Sequence, residues 1–221
     1  MKKMPKGEVS KIDINTQTFG NIPERPLHLS IGATAINEQF MDGRFILKEF
    51  NMDAEFIGGH YIIPLKMLLP KEKIPCPAII MLCNGDDIDE AEKLTNKGYA
   101  VIMLNAFDVT DNSGNFKSGL SAFISPTRRK KSSAGKISVW AWALIRALEC
   151  AEVLDDIIKS EIGLYGRGIF GLAAMLAKSE NEKFAFVKTE DLPRITNEFI
   201  LSSPHLFSPE RMKSGNFDNF S

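Results

Sequence analysis

Ile162-Gly163-Leu164-Tyr165-Gly166-Arg167-Gly168-Ile169-Phe170-Gly171 is the stretch whose reading decides the fold. A short apolar strand runs into a glycine turn, and a helix pattern follows from Leu172 to Lys178. Such a corner presents one backbone position at the mouth of a sheet. Two chemistries use it. A nucleophile stands at the tip in the spelling G-x-S-x-G, or a pyrophosphate rests on the helix N-terminus in the spelling G-x-G-x-x-G. Gly166, Gly168 and Gly171 fit the second spelling.

The segments around the corner alternate strand and helix. Upstream, Ile137 to Ile158 carries the longest helical pattern, with Ile137, Trp140, Ala141, Leu144, Ala147, Leu148, Ala151 and Leu154 at spacings of three and four. Trp140 and Trp142 read as packing residues. Downstream, Phe184 to Val187 reads as the next strand. Farther upstream, Ala78 to Cys83 and Tyr99 to Leu104 are uninterrupted apolar runs, the mark of strands covered on both faces. Between them, Asp86 or Asp87 is placed to N-cap a helix that stops before Gly98. Residues 78–104 thus form one βαβ unit, and a second closes after the corner. The fold class expected is α/β: a three-layer sandwich with a mainly parallel sheet.

Residues 1–40 read as an N-terminal arm and 41–221 as the domain. Within the arm, Ile31 to Phe40 is expected to form a short helix. Arg44 to Phe50 and His60 to Leu69 read as strands making an antiparallel entry to the sheet, with Gly58-Gly59 as a turn. Pro64 points to an edge strand or a bulge. Asn105 to Lys136 is a long irregular stretch, of the kind that is often functional; its run Arg128-Arg129-Lys130-Lys131 reads as a solvated surface patch.

The bulk numbers exclude several functions. The 221 residues suit one α/β domain, and a net charge of −1 offers no whole-chain field for nucleic acid or an anionic membrane. Cys76, Cys83 and Cys150 lack metal-ligand spacing and read as buried free thiols; with three histidines, no metal site is expected. The N-terminus has no apolar segment of secretory type, and no apolar run spans a bilayer, so a cytoplasmic chain without a membrane partner is expected.

The dinucleotide reading of the corner has local support. Glu190 and Asp191 lie about where a ribose-binding carboxylate belongs, and the helix after Ile169 resembles the FAD-binding helix of flavoprotein oxidoreductases. Its position argues against it, because such a fingerprint normally opens its domain, and only 50 residues follow Gly171.

A broader resemblance covers residues from about Pro75 to Phe207. It is carried by Lys97-Gly98-Tyr99-Ala100-Val101, by Phe107 to Asp111 and Phe116 to Gly119, and by Gly135-Lys136-Ile137. It continues through Val139-Trp140-Ala141-Trp142-Ala143-Leu144 with Arg146-Ala147-Leu148, Glu182 to Val187, and Ser203-Pro204-His205-Leu206-Phe207. In this order the segments resemble the α/β-hydrolase carbohydrate esterases, the acetyl xylan and glucuronoyl esterases. The resemblance implies a substrate class of acyl esters on plant cell-wall polysaccharide and no cofactor.

The chain departs from that family at the chemistry. The family's corner reads approximately G-H-S-R-x-G. Its nucleophilic serine falls on Gly168, and the arginine that helps bind the oxyanion falls on Ile169. The chain ends at Ser221, ahead of the last strands and the catalytic histidine that the family implies; His205 matches a different segment. The sequence therefore predicts a homologue without catalysis by the family mechanism, since a triad needs nucleophile and base together. The alternatives are an ester hydrolase with another nucleophile or a partner-completed site, and an NAD- or FAD-binding module. Ser202 and Ser203 lie near His205 in sequence, and they read as a turn. Asn84, Gly85, Arg167, Gly168 and His205 are the ligand-pocket candidates. The N–H groups of Gly166, Arg167 and Gly168 are expected to be free for a small anion. A carbohydrate or small anionic ligand is expected, as is a second copy or partner chain over an open sheet edge.

Overall fold

The computed structural model describes residues 16–111, 116–124, 130, 132–195 and 197–209. The strands are β1 (His28–Gln39), β2 (Phe45–Phe56), β3 (Gly59–Pro70), β4 (Cys76–Cys83), β5 (Ala100–Asn105), β6 (Ile157–Arg167) and β7 (Val187–Glu190). The helices are α1 (Thr16–Phe19), α2 (Phe40–Gly43), α3 (Ile88–Thr95), α4 (Ala106–Val109), α5 (Leu120–Ile124), α6 (Lys136–Ala151), α7 (Ile169–Glu180) and α8 (Asn197–Ser202), followed by a 3₁₀ turn at Pro204–Leu206.

One sheet holds all seven strands in the order β1-β2-β3-β5-β4-β6-β7. β5, β4, β6 and β7 pair in parallel, while β1, β2 and β3 form an antiparallel entry that joins β5. Alternation along the central strands builds two cores. Ala78, Ile80 and Leu82 of β4 face α6 and α7, whereas Ile79, Met81 and Cys83 face Ala91 and Leu94 of α3. Helices on both faces make the sandwich three-layered, and burial of both strand faces explains the unbroken apolar runs. α6 is buried nearly all round, which is why so few polar residues interrupt it. Trp140 and Trp142 are both in this core, and each indole N–H has a partner: Trp140 donates to Thr110 Oγ1 at 2.9 Å and Trp142 to the Glu24 carbonyl at 2.9 Å. Among the described residues, no helix is long and apolar enough to cross a membrane.

Four local expectations change. Of the stretch Ile31 to Phe40, all but Phe40 lies in strand β1, where a helix was expected: Leu29 and Ile31 pack on the core, and β1 pairs with β2 over residues 28–37 with a register shift around Thr34. Tertiary pairing outweighs a weak local pattern there. The helix expected over 137–158 ends at Ala151, because Ile157 starts β6 against Cys76 of β4. The strand expected at 184–187 is shifted to 187–190. Pro64 lies in β3 one residue outside the segment Leu65–Leu68 that pairs with β5, so the missing N–H falls beyond that pairing. Asp87 caps α3, its side chain accepting from the Glu90 N–H, and Gly98 takes φ +92° after the helix, both as the sequence predicts. The three cysteines are buried free thiols. Of the basic run, all but Lys130 lie outside the described residues.

Candidate ligand site at the strand-to-helix corner

Sheet topology places the site. From β4 the chain steps through α3 to β5 on one side, and later through α6 to β6 on the other. The order reverses between β4 and β6, and ligands of open α/β sheets bind outside the C-terminal ends of strands at such a point. β6 ends at Arg167 and α7 begins at Ile169, with Gly168 between them at φ 58°, ψ −130°.

The three glycines serve different ends. A Cβ on Gly166 would lie 2.6 Å from the Phe170 carbonyl oxygen and 2.8 Å from Gly171 Cα. One on Gly171 would lie 2.6 Å from Leu192 Cδ2 and 3.0 Å from the Gly166 carbonyl oxygen. These two glycines let strand and helix touch. A Cβ on Gly168 would meet nothing nearer than the Asp191 carbonyl oxygen at 3.9 Å. The tip has room for a side chain, in a backbone region that side chains rarely occupy. The corner of a nucleophile elbow is just such a strained turn.

Two pockets flank the tip. The first, about 180 Å³, is lined by Asn84, Asp87, Tyr165, Arg167 and Phe170 among others. The second, about 270 Å³, lies toward α6 and holds Asn84, Lys136, Trp140, Ile169, Phe170 and His205. Of the predicted residues, Asn84 thus reaches both pockets, Arg167 the first and His205 the second. Gly85, at φ +73°, instead ties the loop after β4 to β5: its N–H donates to Asn105 Oδ1 at 3.0 Å.

One expectation for the corner is corrected. The Gly168 N–H is not free, because it donates to the Glu190 carbonyl at 2.9 Å. The Arg167 side chain is engaged by carboxylates. Its guanidinium lies 3.3 Å from Glu190, 3.7 Å from Asp191 and 3.8 Å from Glu90. Glu190 accepts from Lys188, Tyr165 and Arg167, and these donors hold its carboxyl down to about 2. Burial, with the Glu190 carboxylate beside it, pushes the Tyr165 phenol up to about 12. The same contacts disfavour the dinucleotide reading: the N–H that would meet a pyrophosphate and the carboxylate that would meet a ribose are both engaged.

Ser203 and His205 both line the second pocket. Ser202 donates to the Phe199 carbonyl at 3.1 Å, and among the described residues no hydrogen bond joins His205 to Ser202 or Ser203. Cys83 lines the first pocket, but burial raises its thiol to about 11, and it donates to backbone carbonyls.

Lys136 lines the second pocket and is not among the residues the sequence singled out. It is the first residue of α6 and only 4 % exposed. Its ammonium donates to the Asp111 carbonyl. Burial lowers its pKa, and burial together with Lys136 lowers that of His205. The signal available was a lysine at the positive end of a long apolar helix, where a cation is disfavoured. The aromatic residues of this pocket, Phe107, Phe170 and Phe199, carry no signal of their own in the sequence.

Fold and corner together define an α/β-hydrolase-like protein. No protein-family model and no curated protein matches the chain. Among solved structures it is similar to a glucuronoyl esterase from Solibacter usitatus, with TM-score 0.76 and 20 % identity over 89 % of this chain and 63 % of that one. It is also similar to a CE15 glucuronoyl esterase from Teredinibacter turnerae T7901, with TM-score 0.69 and 18 % identity over 80 % of this chain and 49 % of that one. A promiscuous CE15 esterase from a marine bacterial metagenome gives TM-score 0.69 and 16 % identity over 92 % of this chain and 64 % of that one. The likeness is one of fold, and the chain spans less than two thirds of the length of each of these enzymes.

Proposed function

We propose that this chain is a carbohydrate-esterase homologue that binds a small carbohydrate-derived ligand at the corner without cleaving it. The observation that carries the reading is Gly168: the tip of the elbow holds no atom able to attack a carbonyl. Loss of the nucleophile from a serine hydrolase removes on the order of 10⁶ in turnover. The Ser202 hydroxyl is bound to a carbonyl, and the Tyr165 phenol and Cys83 thiol are raised in pKa, which supports the same reading. The ligand class follows from the fold neighbours. One of them, a mutant glucuronoyl esterase from Sporotrichum thermophile with TM-score 0.56, is in complex with methyl 4-O-methyl-β-D-glucopyranuronate.

The test is an ester-hydrolysis assay on the purified protein with p-nitrophenyl acetate and benzyl glucuronate, beside labelling with a fluorophosphonate probe. The expected result is turnover at the buffer rate and no labelled residue. A covalent adduct found by mass spectrometry on any residue lining the two pockets would overturn the proposal.

A further inference from the structure

We infer that residues 16–27 form a clamp that holds one wall of the second pocket in place, so that access to the pocket is controlled from the N-terminal segment. The clamp acts whatever the pocket binds, and so stands apart from the ligand proposed above.

The wall is the segment 197–208. α8 and the 3₁₀ turn bring Phe199, Ser203, His205 and Leu206 to the pocket. None of these residues belongs to the sheet. Segments outside the central ladders open more readily than the strands do. The clamp ties this one down. The Ser208 N–H donates to the Thr18 carbonyl at 3.1 Å. Phe19, fully buried, stacks on Phe207 at 5.6 Å, and Phe207 meets Phe199 edge to face at 5.9 Å. A line of three rings thus runs from the clamp to the pocket.

The same residues are fixed to the start of α6, which carries Lys136 and Trp140 on the other side of the pocket. The Gly135 N–H donates to the Phe19 carbonyl at 2.7 Å, and the Asn21 N–H to the Ser132 carbonyl at 2.9 Å. The buried Ser138 hydroxyl lies 2.9 Å and 2.7 Å from the Phe19 and Gly20 carbonyl oxygens, between which its one hydrogen is shared. The main chains also touch. A Cβ on Gly20 would lie 2.3 Å from the Ser133 carbonyl oxygen, and one on Gly135 would lie 2.4 Å from the Leu206 carbonyl oxygen. The clamp therefore joins both walls of the pocket to each other.

Its far end is held less firmly. Arg25, with 68 % of its side chain exposed, pairs with Glu149 at 2.9 Å, and Glu149 also serves Arg146 at 3.1 Å. One carboxylate answers two guanidiniums. Among the described residues, Nε and Nη1 of Arg146 are buried without a hydrogen-bond partner. An exposed ion pair of this kind contributes little, so release of the clamp starts here and proceeds toward Phe19.

The experiment is hydrogen–deuterium exchange by mass spectrometry on the whole chain, beside modification of histidines by diethyl pyrocarbonate with peptide mapping. In Phe19→Ala, the amides of 203–208 should exchange at least tenfold faster than in wild type. His205 should react at least threefold faster, while His60, on β3, keeps its rate. Leu94→Ala, in the core on the other face of the sheet, should leave both readouts within twofold of wild type, which separates the clamp from a general loss of stability. Unchanged exchange and reactivity in a folded Phe19→Ala protein would show that the wall stands by its own packing and would overturn the inference. An equal rise in Leu94→Ala, or faster exchange without faster modification of His205, would overturn it too. If Phe19→Ala does not fold, Ser138→Ala takes its place: both readouts should rise at least twofold, and unchanged rates overturn the inference.

Discussion

Gly166 and Gly171 on one hand, and Gly168 on the other, belong to one corner but answer to different constraints. At the first two, backbone or a packed side chain lies within 2.6 Å of where a Cβ would stand. At the third the space is open to 3.9 Å, and the restriction is conformational, at φ 58°. The frame that positions a nucleophile is therefore intact, while the position it serves is bare. Packing and chemistry have separated within six residues. A dinucleotide cradle would use its glycines otherwise, with the middle one giving access to a phosphate; here the N–H of the middle one is bonded to β7.

Substitutions can break this comparison. Gly166→Ala is expected to have the largest effect, a loss of about 3 kcal/mol in denaturant unfolding, because the obstructing atoms are main chain and cannot rotate away. Gly168→Ala should cost less, about 1–2 kcal/mol, from backbone strain alone. Equal losses at the two positions would mean that the tip is as crowded as the frame, and the separation of roles would fail.

Much of this fold is legible in the sequence, and the pattern of failures is physical. β4 and β5 announce themselves because burial on both faces demands unbroken apolar runs. The corner is spelled by close-approach glycines, and α3 by its aspartate cap. β1 is not legible, since its alternation is short and its stability comes from pairing with β2. The end of α6 is hidden because Val153 and Leu154 extend the apolar pattern past the point where the chain turns into β6. The site is harder still. Asn84 and His205 can be placed in the pockets, but the engagement of Arg167 depends on Glu190, 23 residues on, and on Glu90 from another layer of the sandwich. Lys136 is conspicuous only against the helix dipole, once the apolar helix that it opens is recognised.

The smallest expected effect sharpens the same contrast, because it asks whether the charges around the corner are committed to one another. Glu190 is held to about 2 by Lys188, Tyr165 and Arg167, below the ordinary value of 4.5. For an acid whose folded value is depressed, the stabilising contribution is complete above the unfolded value and is lost as pH falls through the folded one. Wild-type protein should therefore lose melting temperature more steeply than Glu190→Gln between about pH 4.5 and 2, with the variant the less stable of the two at neutral pH. The carboxylate is solvent-facing, so the difference should be slight and should shrink in salt. If the two proteins follow one curve at low ionic strength, the carboxylates do not hold Arg167. Its guanidinium would then be available to a ligand at the first pocket.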